Sequence, residues 1–439
     1  MSLSRNEQSR SSSEPRIEKE PIEVTKEVLP KVIITKEECY DKTGFGFSTV
    51  KKWWILAVIF IVQVSMNFNA GVYGNAVKGM QDQFHMSTPV ARCGQMIFLI
   101  AYGFGSELWA PWSEELGRKP ILQLSLFLVN LFQIPCALAP NFGTILAGRA
   151  LGGLSSAGGS VTLGMVADMW EADDQQYAVA FVVFSSVGGS VVGPIVGGFV
   201  QESYLSWRWI FWLQLIFGVA VQALHALTVP ETRVTIMMDK EAKRRRKAGE
   251  ENIWGENEVK TWGEMFSMRQ ILRVWYRPFH MFVTEPIVLF LSLFSGFSDA
   301  LIFTFLESYH LVYAQWGFGA IGVGLAFVPI LIGYLIGYGS FIPFITRDRH
   351  RRSLRPESVQ PESRLYWLLY TAPLLSGGLF GFAWTSTGPP IPWIGKMIFA
   401  ACIGIANYCI YMVTIDYMVA AYGPYAVSFQ FYLSFEDRD

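Results

Sequence analysis

Ten stretches of roughly 20 predominantly apolar residues restrict the fold of this chain more than any other feature does. They lie near residues 53–77, 91–112, 120–140, 143–166, 178–200, 208–228, 286–308, 320–344, 365–386 and 392–418. A helix of about 20 residues crosses the roughly 30 Å hydrocarbon core of a bilayer. Only 16% of the residues are charged, against about 25% in a typical soluble domain. We therefore expect an all-α, polytopic membrane protein.

Lysine and arginine are unevenly distributed among the connecting segments. Eleven lie between residues 229 and 283, including the run Lys243 to Lys247, and six lie between residues 345 and 364. None occurs in the alternate loops at residues 141–142, 201–207, 309–319 and 387–391. Positively charged loops are retained in the cytoplasm. With ten spans, this rule predicts a multi-pass protein with both termini cytoplasmic, and we expect it in the plasma membrane.

The segment 229–285 is the longest interruption between the apolar runs. We expect it to be a charged cytoplasmic loop between a six-helix N-terminal half, residues 49–228, and an incomplete four-helix C-terminal half, residues 286–418. Residues 1–48 lack an apolar run and are expected to be a disordered tail, and residues 419–439 an atypical cytoplasmic tail. The basic run in the loop fits contact with anionic lipid headgroups, although nuclear-type and calmodulin-type patches are alternatives.

Small residues at helical spacing mark the fifth apolar run. Gly189, Gly193 and Gly197 recur every four residues, so they line one helix face and allow a neighbouring backbone to approach closely. Pro194 removes one backbone hydrogen bond and kinks the helix, and Gly198 follows directly. A lipid-facing anchor needs no such face. The pattern therefore favours a transporter helix, with an ordinary packed helix crossing as the alternative.

Two further segments place charge at or near predicted helices. In the turn after the second run, Gly117 supplies permissive dihedrals, and Glu114 precedes Arg118 by one helical turn, so the two can form an ion pair. Such a pair at a helix junction can act as a latch between conformations. Arg149 lies within the fourth run, where a guanidinium normally faces the bundle interior or a water path. Snorkelling to the outer interface is the alternative.

Two carboxylates of the seventh run are candidates for carrying protons. Asp299 and Glu307 are eight residues apart, about two helical turns, so they share one helix face, with Asp299 deeper in the span. Ionisable groups within spans are costly and are usually functional.

Signatures of enzymes are weak in this sequence. The stretch Gly317 to Gly322 fits GxGxxG, but it follows a membrane span instead of a β-strand. The five histidines show no metal-ligand spacing, and the five cysteines form no CxxC pair. We expect no enzyme activity, no cofactor and no metal.

Taken together, these segments resemble the major facilitator superfamily. The turn containing Glu114, Gly117 and Arg118 looks like its cytoplasmic-loop motif, with Glu114 in place of the usual Asp and Ala110 in place of Gly. Arg149, Gly153 and Ala157 are similar to the span-four motif associated with proton coupling. The segment Gly189 to Gly198 resembles the span-five motif of antiporters.

Three other stretches resemble the twelve-span fungal drug:proton antiporters, the group with cycloheximide-resistance, polyamine and toxin exporters. They are Gly296 to Ser308, Pro361 to Leu365 and Ile415 to Ser428. The resemblance implies a monomeric, proton-coupled exporter of a small hydrophobic drug, toxin or fungal secondary metabolite, with Arg149, Asp299 and Glu307 in proton coupling. Its partners would be this substrate, protons and the bilayer, without nucleic acid. A polyamine transporter and a non-transporting member are the alternatives, and an integral-membrane enzyme is disfavoured.

The end of the chain departs from this family pattern. Family members continue into spans eleven and twelve, whereas the last residues here read SFQFYLSFEDRD. We expect a truncated gene or a mis-spliced gene model, with a genuine ten-span protein as the alternative. The truncated form is expected to insert into the membrane but to transport poorly.

Overall fold

The computed structural model describes residues 32–156, 158–250, 252–259, 280–354 and 361–421, together with the single positions 272 and 276. The described helices are α1 (Thr49–Gly71), α2 (Val77–Phe84), α3 (Thr88–Glu115), α4 (Arg118–Ala137), α5 (Phe142–Leu154), α6 (Gly158–Ala167), α7 (Ala172–Glu202), α8 (Arg208–Thr228), α9 (Val234–Lys247), α10 (Glu256–Val259), α11 (Pro286–Ala314), α12 (Ala320–Leu325), α13 (Val328–Leu354), α14 (Tyr366–Thr385) and α15 (Trp393–Ala421). Short 3₁₀ turns occupy Tyr40–Lys42, Gly44–Gly46, Val72–Ala76 and Pro361–Leu365, and two strands, β1 (Val32–Ile33) and β2 (Ile253–Trp254), pair in parallel.

Eight helical stretches in the described part are long and apolar enough to cross a membrane, two fewer than the ten predicted. They cover Thr49–Phe84, Arg118–Ala137, Asp174–Glu202, Arg208–Thr228, Pro286–Phe305, Ala320–Leu354, Glu362–Thr385 and Trp393–Met418. The second predicted run corresponds to α3, a helix of 28 residues that contains several Gly, Ser and Gln residues. The fourth corresponds to two short helices, α5 and α6.

The break between α5 and α6 corrects the expectation of one continuous span over residues 143–166. Ser155 and Ser156 follow the end of α5, and residue 157 lies outside the described part. The Ser155 hydroxyl donates to Leu151 O at 2.7 Å. The backbone carbonyl of Ser155 accepts a hydrogen bond from the Ser125 hydroxyl of α4 at 2.6 Å. Serine side chains compete for backbone groups in this way and weaken a helix interior.

The helices pack into one bundle around a continuous apolar core. Helix α1 lies against α7, α3 against α5, and α4 against α8, while α15 packs on both α13 and α14. Helix α7 also contacts α12, α13 and α15, so it connects the earlier helices to the later ones. Buried residues from α1, α4, α7, α11, α13, α14 and α15 belong to the same apolar cluster.

Residues 32–48 form an ordered unit, which we name the N-terminal clasp, although the sequence predicted disorder for residues 1–48. The amide of Val32 donates to Asn252 O at 2.9 Å, and that of Ile34 to Trp254 O at 3.0 Å. Ile34 and Cys39 are buried against Met238 and Ala242 of α9. The clasp is ordered because it pairs with a segment 221 residues away (Val32 with Ile253, for example), a contact that local composition does not reveal. Residues 1–31 and 422–439 lie outside the described part.

The basic run of α9 forms ion pairs within this unit. Arg244 and Arg245 both contact Glu241, and Lys243 and Arg246 both contact Glu258. Hydrogen bonds from Arg244, supported by those from Arg245, lower the pKa of Glu241 to about 2. The basic run is therefore paired with acidic residues of the protein itself, while the side chains of Lys243 and Arg244 stay 61% and 68% exposed.

Candidate functional site

The glycine face of α7 lies directly against α1 and the 3₁₀ turn that follows it. A Cβ atom at Gly193 would lie 2.5 Å from the backbone nitrogen of Val72, and one at Gly189 would lie 2.9 Å from Val64 Cα. Gly197 faces Asn75 in the same way. Gly198 points elsewhere, because its Cβ would lie 2.7 Å from Ala320 O of α12. The small residues thus allow close backbone approach on two sides of α7.

Pro194 lies inside α7 and carries no amide hydrogen for Ser190 O, its expected helical acceptor. That carbonyl is covered by Gly71 of α1, where a Cβ atom would overlap it. On the other side, the Pro194 carbonyl lies against Gly324 of α12. The irregular point of the helix is therefore enclosed by protein backbone, as a bilayer environment requires.

Arg149 faces the bundle interior, with only 1% of its surface exposed, which excludes the snorkelling alternative. Its Nη1 donates to Asn69 O of α1 at 2.9 Å, and its Nε donates to Gly94 O of α3 at 3.3 Å. The guanidinium carbon also lies 4.0 Å from the ring centroid of Phe98 and 4.7 Å from that of Tyr73. Carbonyl dipoles and ring faces thus stabilise a buried positive charge. Gly153 admits α3 against α5, whereas Ala157 lies outside the described residues.

Arg118 is also buried, but its ion-pair partner differs from the one expected. Its Nε donates to Asp168 Oδ2 at 2.8 Å, and its Nη1 donates to the Ser113 hydroxyl at 2.6 Å. Within the described residues, Glu114 forms no ion pair with Arg118; its carbonyl oxygen accepts from Arg233 Nε at 3.1 Å. Asp168 follows α6 and comes close enough only because α6 packs on α4 and α3.

Gly117 adopts the left-handed conformation that the tight turn demands, with φ of 102°. The carboxylate of Glu231 lies beside it and accepts from the amides of Arg118 at 2.9 Å and Lys119 at 3.2 Å. It accepts two further amide bonds from Thr232 and Arg233. A carboxylate at this position satisfies the free amides at the start of α4 and favours its dipole.

A second buried ion pair lies among the later helices, where Arg364 pairs with Asp416 of α15. Gln176 of α7 donates to Asp416 Oδ2 at 2.8 Å and accepts from Arg352 of α13 at 2.7 Å. Arg349 of α13 adds an ion pair to Asp174 of α7 at 2.8 Å. These contacts connect α7 to α13 and α15 at the ends of the helices near Arg118.

Asp299 and Glu307 both line one groove of about 630 Å³ between α3 and α11, as their spacing predicts. Asp299 accepts a hydrogen bond from Asn407 Nδ2 at 2.9 Å and, within the described part, has no cationic partner. It also lines an inner cavity of about 160 Å³, together with Asn67, Tyr102 and Tyr334. Glu307 instead pairs with Arg92 of α3 at 2.6 Å.

Sequence reasoning did not single out Arg92, Glu231 or Lys396 as functional residues. Arg92 and Glu231 lie near helix ends, where charged residues are common. Their positions in the sequence therefore do not indicate a function. Lys396 is fully buried near the start of α15, and its Nζ lies 2.7 Å from the ring centroid of Trp316. The sequence offered one indication that Lys396 is unusual, namely its position at the border of an apolar run.

Within the described residues, no three His, Cys, Asp or Glu side chains cluster in a way that could hold a metal ion. The groove and the inner cavity together present the Asp299 carboxylate, one ion pair, amides, phenols and aromatic rings.

A bundle of apolar helices around an internal, mostly apolar cavity that contains a carboxylate has the architecture of a membrane transport protein. A sequence model of the Major Facilitator Superfamily matches residues 59–433, and the chain therefore belongs to this superfamily of transporters.

Fungal transporters are among its relatives. The MFS-type transporter paaT of Penicillium rubens is 31% identical, and the match covers 87% of this chain and 70% of paaT. The MFS-type transporter traF of Penicillium crustosum is 32% identical, over 86% of this chain and 76% of traF. The citrinin biosynthesis cluster MFS transporter mrr1 of Monascus ruber is 29% identical, over 86% of this chain and 75% of mrr1.

Solved structures are similar in fold. The xylose transporter XylE from E. coli, in a partially occluded inward open conformation, superimposes with a TM-score of 0.59. The match covers 85% of this chain and 88% of that chain at 15% identity. At this identity the likeness concerns the fold alone.

Proposed function

We propose that this chain is a proton-coupled secondary transporter that exports a small hydrophobic molecule, such as a drug, a toxin or a fungal secondary metabolite. The superfamily supports transport, and the name of mrr1 links one relative to a biosynthetic cluster. In such carriers, two groups of helices rock about a central site and expose it alternately to each side. Here these groups would be residues 49–228 and 286–418.

The observation that carries proton coupling is the unpaired carboxylate of Asp299. This carboxylate borders both the groove and the inner cavity. Within the described residues, it accepts a hydrogen bond from the side-chain amide of Asn407. A carboxylate without a cation in a low-dielectric site favours binding a proton. Substrate and proton would then occupy the same cavity in turn, so that entry of one favours departure of the other.

Arg149 would keep a fixed positive charge close to this cavity. Its guanidinium stacks on Phe98, whose ring also lines the inner cavity. We propose that Arg149 takes part in proton coupling from this position. Glu307 would contribute a second titratable group at the mouth of the groove.

The buried ion pairs would act as latches at the cytoplasmic ends of the helices. Arg118 with Asp168 joins α4 to the end of α6, and Arg364 with Asp416 joins the 3₁₀ turn before α14 to α15. Contacts from α7 to Arg349 and Arg352 link the two groups of helices. Opening towards the cytoplasm would break these links and release the latches with them. Glu114 and Gly117 would shape the turn that carries Arg118.

Polyamine transport is the weaker alternative. A polyamine needs several free acidic groups, and Asp299 and Glu307 were the expected pair. Because Arg92 neutralises Glu307, Asp299 is the one free acid of the groove within the described residues. We further propose that the protein acts as a monomer in the plasma membrane.

The test is drug efflux from proteoliposomes that contain the purified full chain, driven by an imposed pH gradient. One proton moving down a gradient of one pH unit supplies about 1.4 kcal/mol, so the efflux of a hydrophobic fluorescent dye should follow the gradient. Asp299→Asn should abolish gradient-driven transport while dye binding persists. Arg149→Ala should reduce transport similarly.

The control is Asp82→Asn, which changes an exposed carboxylate of α2 and should transport normally. Gradient-driven transport by Asp299→Asn at the wild-type rate would refute the coupling role. Binding without flux in the wild-type chain would identify a non-transporting member of the family.

A further inference from the structure

Arg92 lies in the second turn of α3 and faces α11 across the groove. Its Nε approaches Glu307 Oε2 to 2.6 Å, and the two side chains remain 40% and 25% exposed. Attraction between opposite charges holds the pair. Within the described residues, no other ion pair joins α3 to α11.

The start of α3 is fixed firmly to its own neighbours. The hydroxyl of Tyr73 donates to Ala91 O at 2.8 Å, and Arg149 donates to Gly94 O. Gly94 packs so tightly on Tyr73 that a Cβ atom there would overlap the phenol. Arg92 lies between these two anchored positions, so its backbone follows α1 and α5 when they move.

The end of α11 is fixed equally well on the other side. The ring centroids of Tyr309 and Phe327 are 4.3 Å apart, and those of Phe305 and Phe382 are 4.9 Å apart. These rings attach α11 to α14 and to the segment before α13. Glu307 lies between the two anchored rings, with its carboxylate in the groove.

The groove and the inner cavity share three lining residues, Leu99, Phe303 and Asp299. Displacement of these three side chains would therefore connect the inner cavity to the groove. Along α11, Glu307 lies two helical turns from Asp299, towards the end of the helix. Arg92 faces Glu307 from near the start of α3. The ion pair thus spans the passage between Asp299 and that side of the protein.

We propose that Arg92 and Glu307 form the outer gate of the transport pathway, an ion pair that closes the groove above Asp299 and breaks when α3 and α11 separate. The proposal rests on the transport function inferred above. Exposed ion pairs are individually weak, so this one can break and re-form in each cycle. Arg92 is accordingly a positioning residue, which holds the two groups of helices together in the closed state.

The first experiment measures access to the inner cavity and requires no substrate. Ser186, which lines that cavity, is changed to Cys in a full chain that also carries Cys93→Ser and Cys402→Ser. Intact cells are then treated with a membrane-impermeant maleimide. Labelling should be slow with the ion pair present and should rise about fivefold in Arg92→Gln and in Glu307→Gln, in line with the modest strength of an exposed pair.

Two variants serve as controls. Lys78→Gln removes an exposed charge of α2 and should leave labelling unchanged. Arg92→Glu combined with Glu307→Arg restores the pair in reverse order and should return labelling towards the slow rate. Unchanged labelling in both single variants, or labelling that rises only from the cytoplasmic face of inverted vesicles, would overturn the gate.

A second measurement covers variants that reach the membrane poorly. Spin labels at Val90→Cys and Leu311→Cys, both exposed on the outer ends of α3 and α11, report the separation of these helices in purified protein. Arg92→Gln should shift the distance distribution to longer values. An identical distribution with and without the ion pair would show that it does not close the groove. Because neither assay uses transport, a failure here is distinct from a failure of the proposed export.

Discussion

Arg118 shows at the scale of a single residue how tertiary contacts select a partner. Glu114 is one turn away in sequence, yet the guanidinium pairs with Asp168, fifty residues further along the chain. With only 2% of its surface exposed, Arg118 needs a partner that is itself buried, and Asp168 meets that requirement at 5%. The i, i+4 rule requires one continuous helix, and it fails here because α3 ends at Glu115 and the turn at Gly117 separates the two residues.

We predict that Asp168→Ala destabilises the protein more than Glu114→Ala. Removing one partner of a buried ion pair costs about 3–5 kcal/mol, because the other charge stays buried and unpaired. Loss of Glu114, which makes no ion pair with Arg118, should cost at most about 1 kcal/mol. The apparent Tm of each purified variant in detergent provides the comparison.

Asp168→Asn is the matched control for this pair, because it keeps an oxygen that can accept a hydrogen bond from Arg118. Its apparent Tm should fall between those of the two alanine variants. Equal losses of Tm in Asp168→Ala and Glu114→Ala would restore Glu114 as the main partner.

At the scale of elements, α7 determines how closely its neighbours approach. Its glycine face meets the backbone of α1, and the neighbouring Gly198 meets α12. Four-residue spacing was enough to predict the first of these contacts. The second was not predicted, because the identity of the helix on the far side depends on the path of the chain between α11 and α13.

We predict opposite outcomes for two glycines of this helix. Gly193→Ala places a methyl group 2.5 Å from the backbone nitrogen of Val72, and overpacking of this kind costs about 1–3 kcal/mol. Gly188→Ala meets only Leu331 Cδ1, at 3.7 Å, and gains about 0.5–1 kcal/mol of helix propensity. Thermal unfolding in detergent should therefore shift down for Gly193→Ala and up slightly for Gly188→Ala. A Gly193→Ala protein as stable as the wild type would contradict the close contact.

At the scale of the whole molecule, the N-terminal clasp and α9 form one ordered unit next to the turn before α7. Tyr40 donates to Glu171 at 3.2 Å, and Gly44 packs on the carbonyl of Asp168. The clasp therefore contacts the residues that carry the Arg118 latch. The positive charge of this side predicts that it faces the cytoplasm.

We predict that an epitope tag inserted after Gly249, an exposed turn with no atoms packed against it, is protected from protease in intact cells and cut after permeabilisation. A tag inserted after Thr387, in the uncharged loop between α14 and α15, should be cut in intact cells. The reverse pattern would invert the topology and place the Arg92–Glu307 pair on the cytoplasmic side.

By itself, the sequence determined the membrane environment, the helical class and the small-residue face of α7, because hydropathy and helical spacing act over short distances along the chain. It also placed Asp299 and Glu307 on one face of α11, where the structure has them lining one groove. Only the tertiary structure decided which charges meet: Asp168 for Arg118, Arg92 for Glu307 and Asp416 for Arg364. Ion pairs depend on distance in space and on burial, and these partners lie 50 to 215 residues apart, beyond the reach of any local pattern.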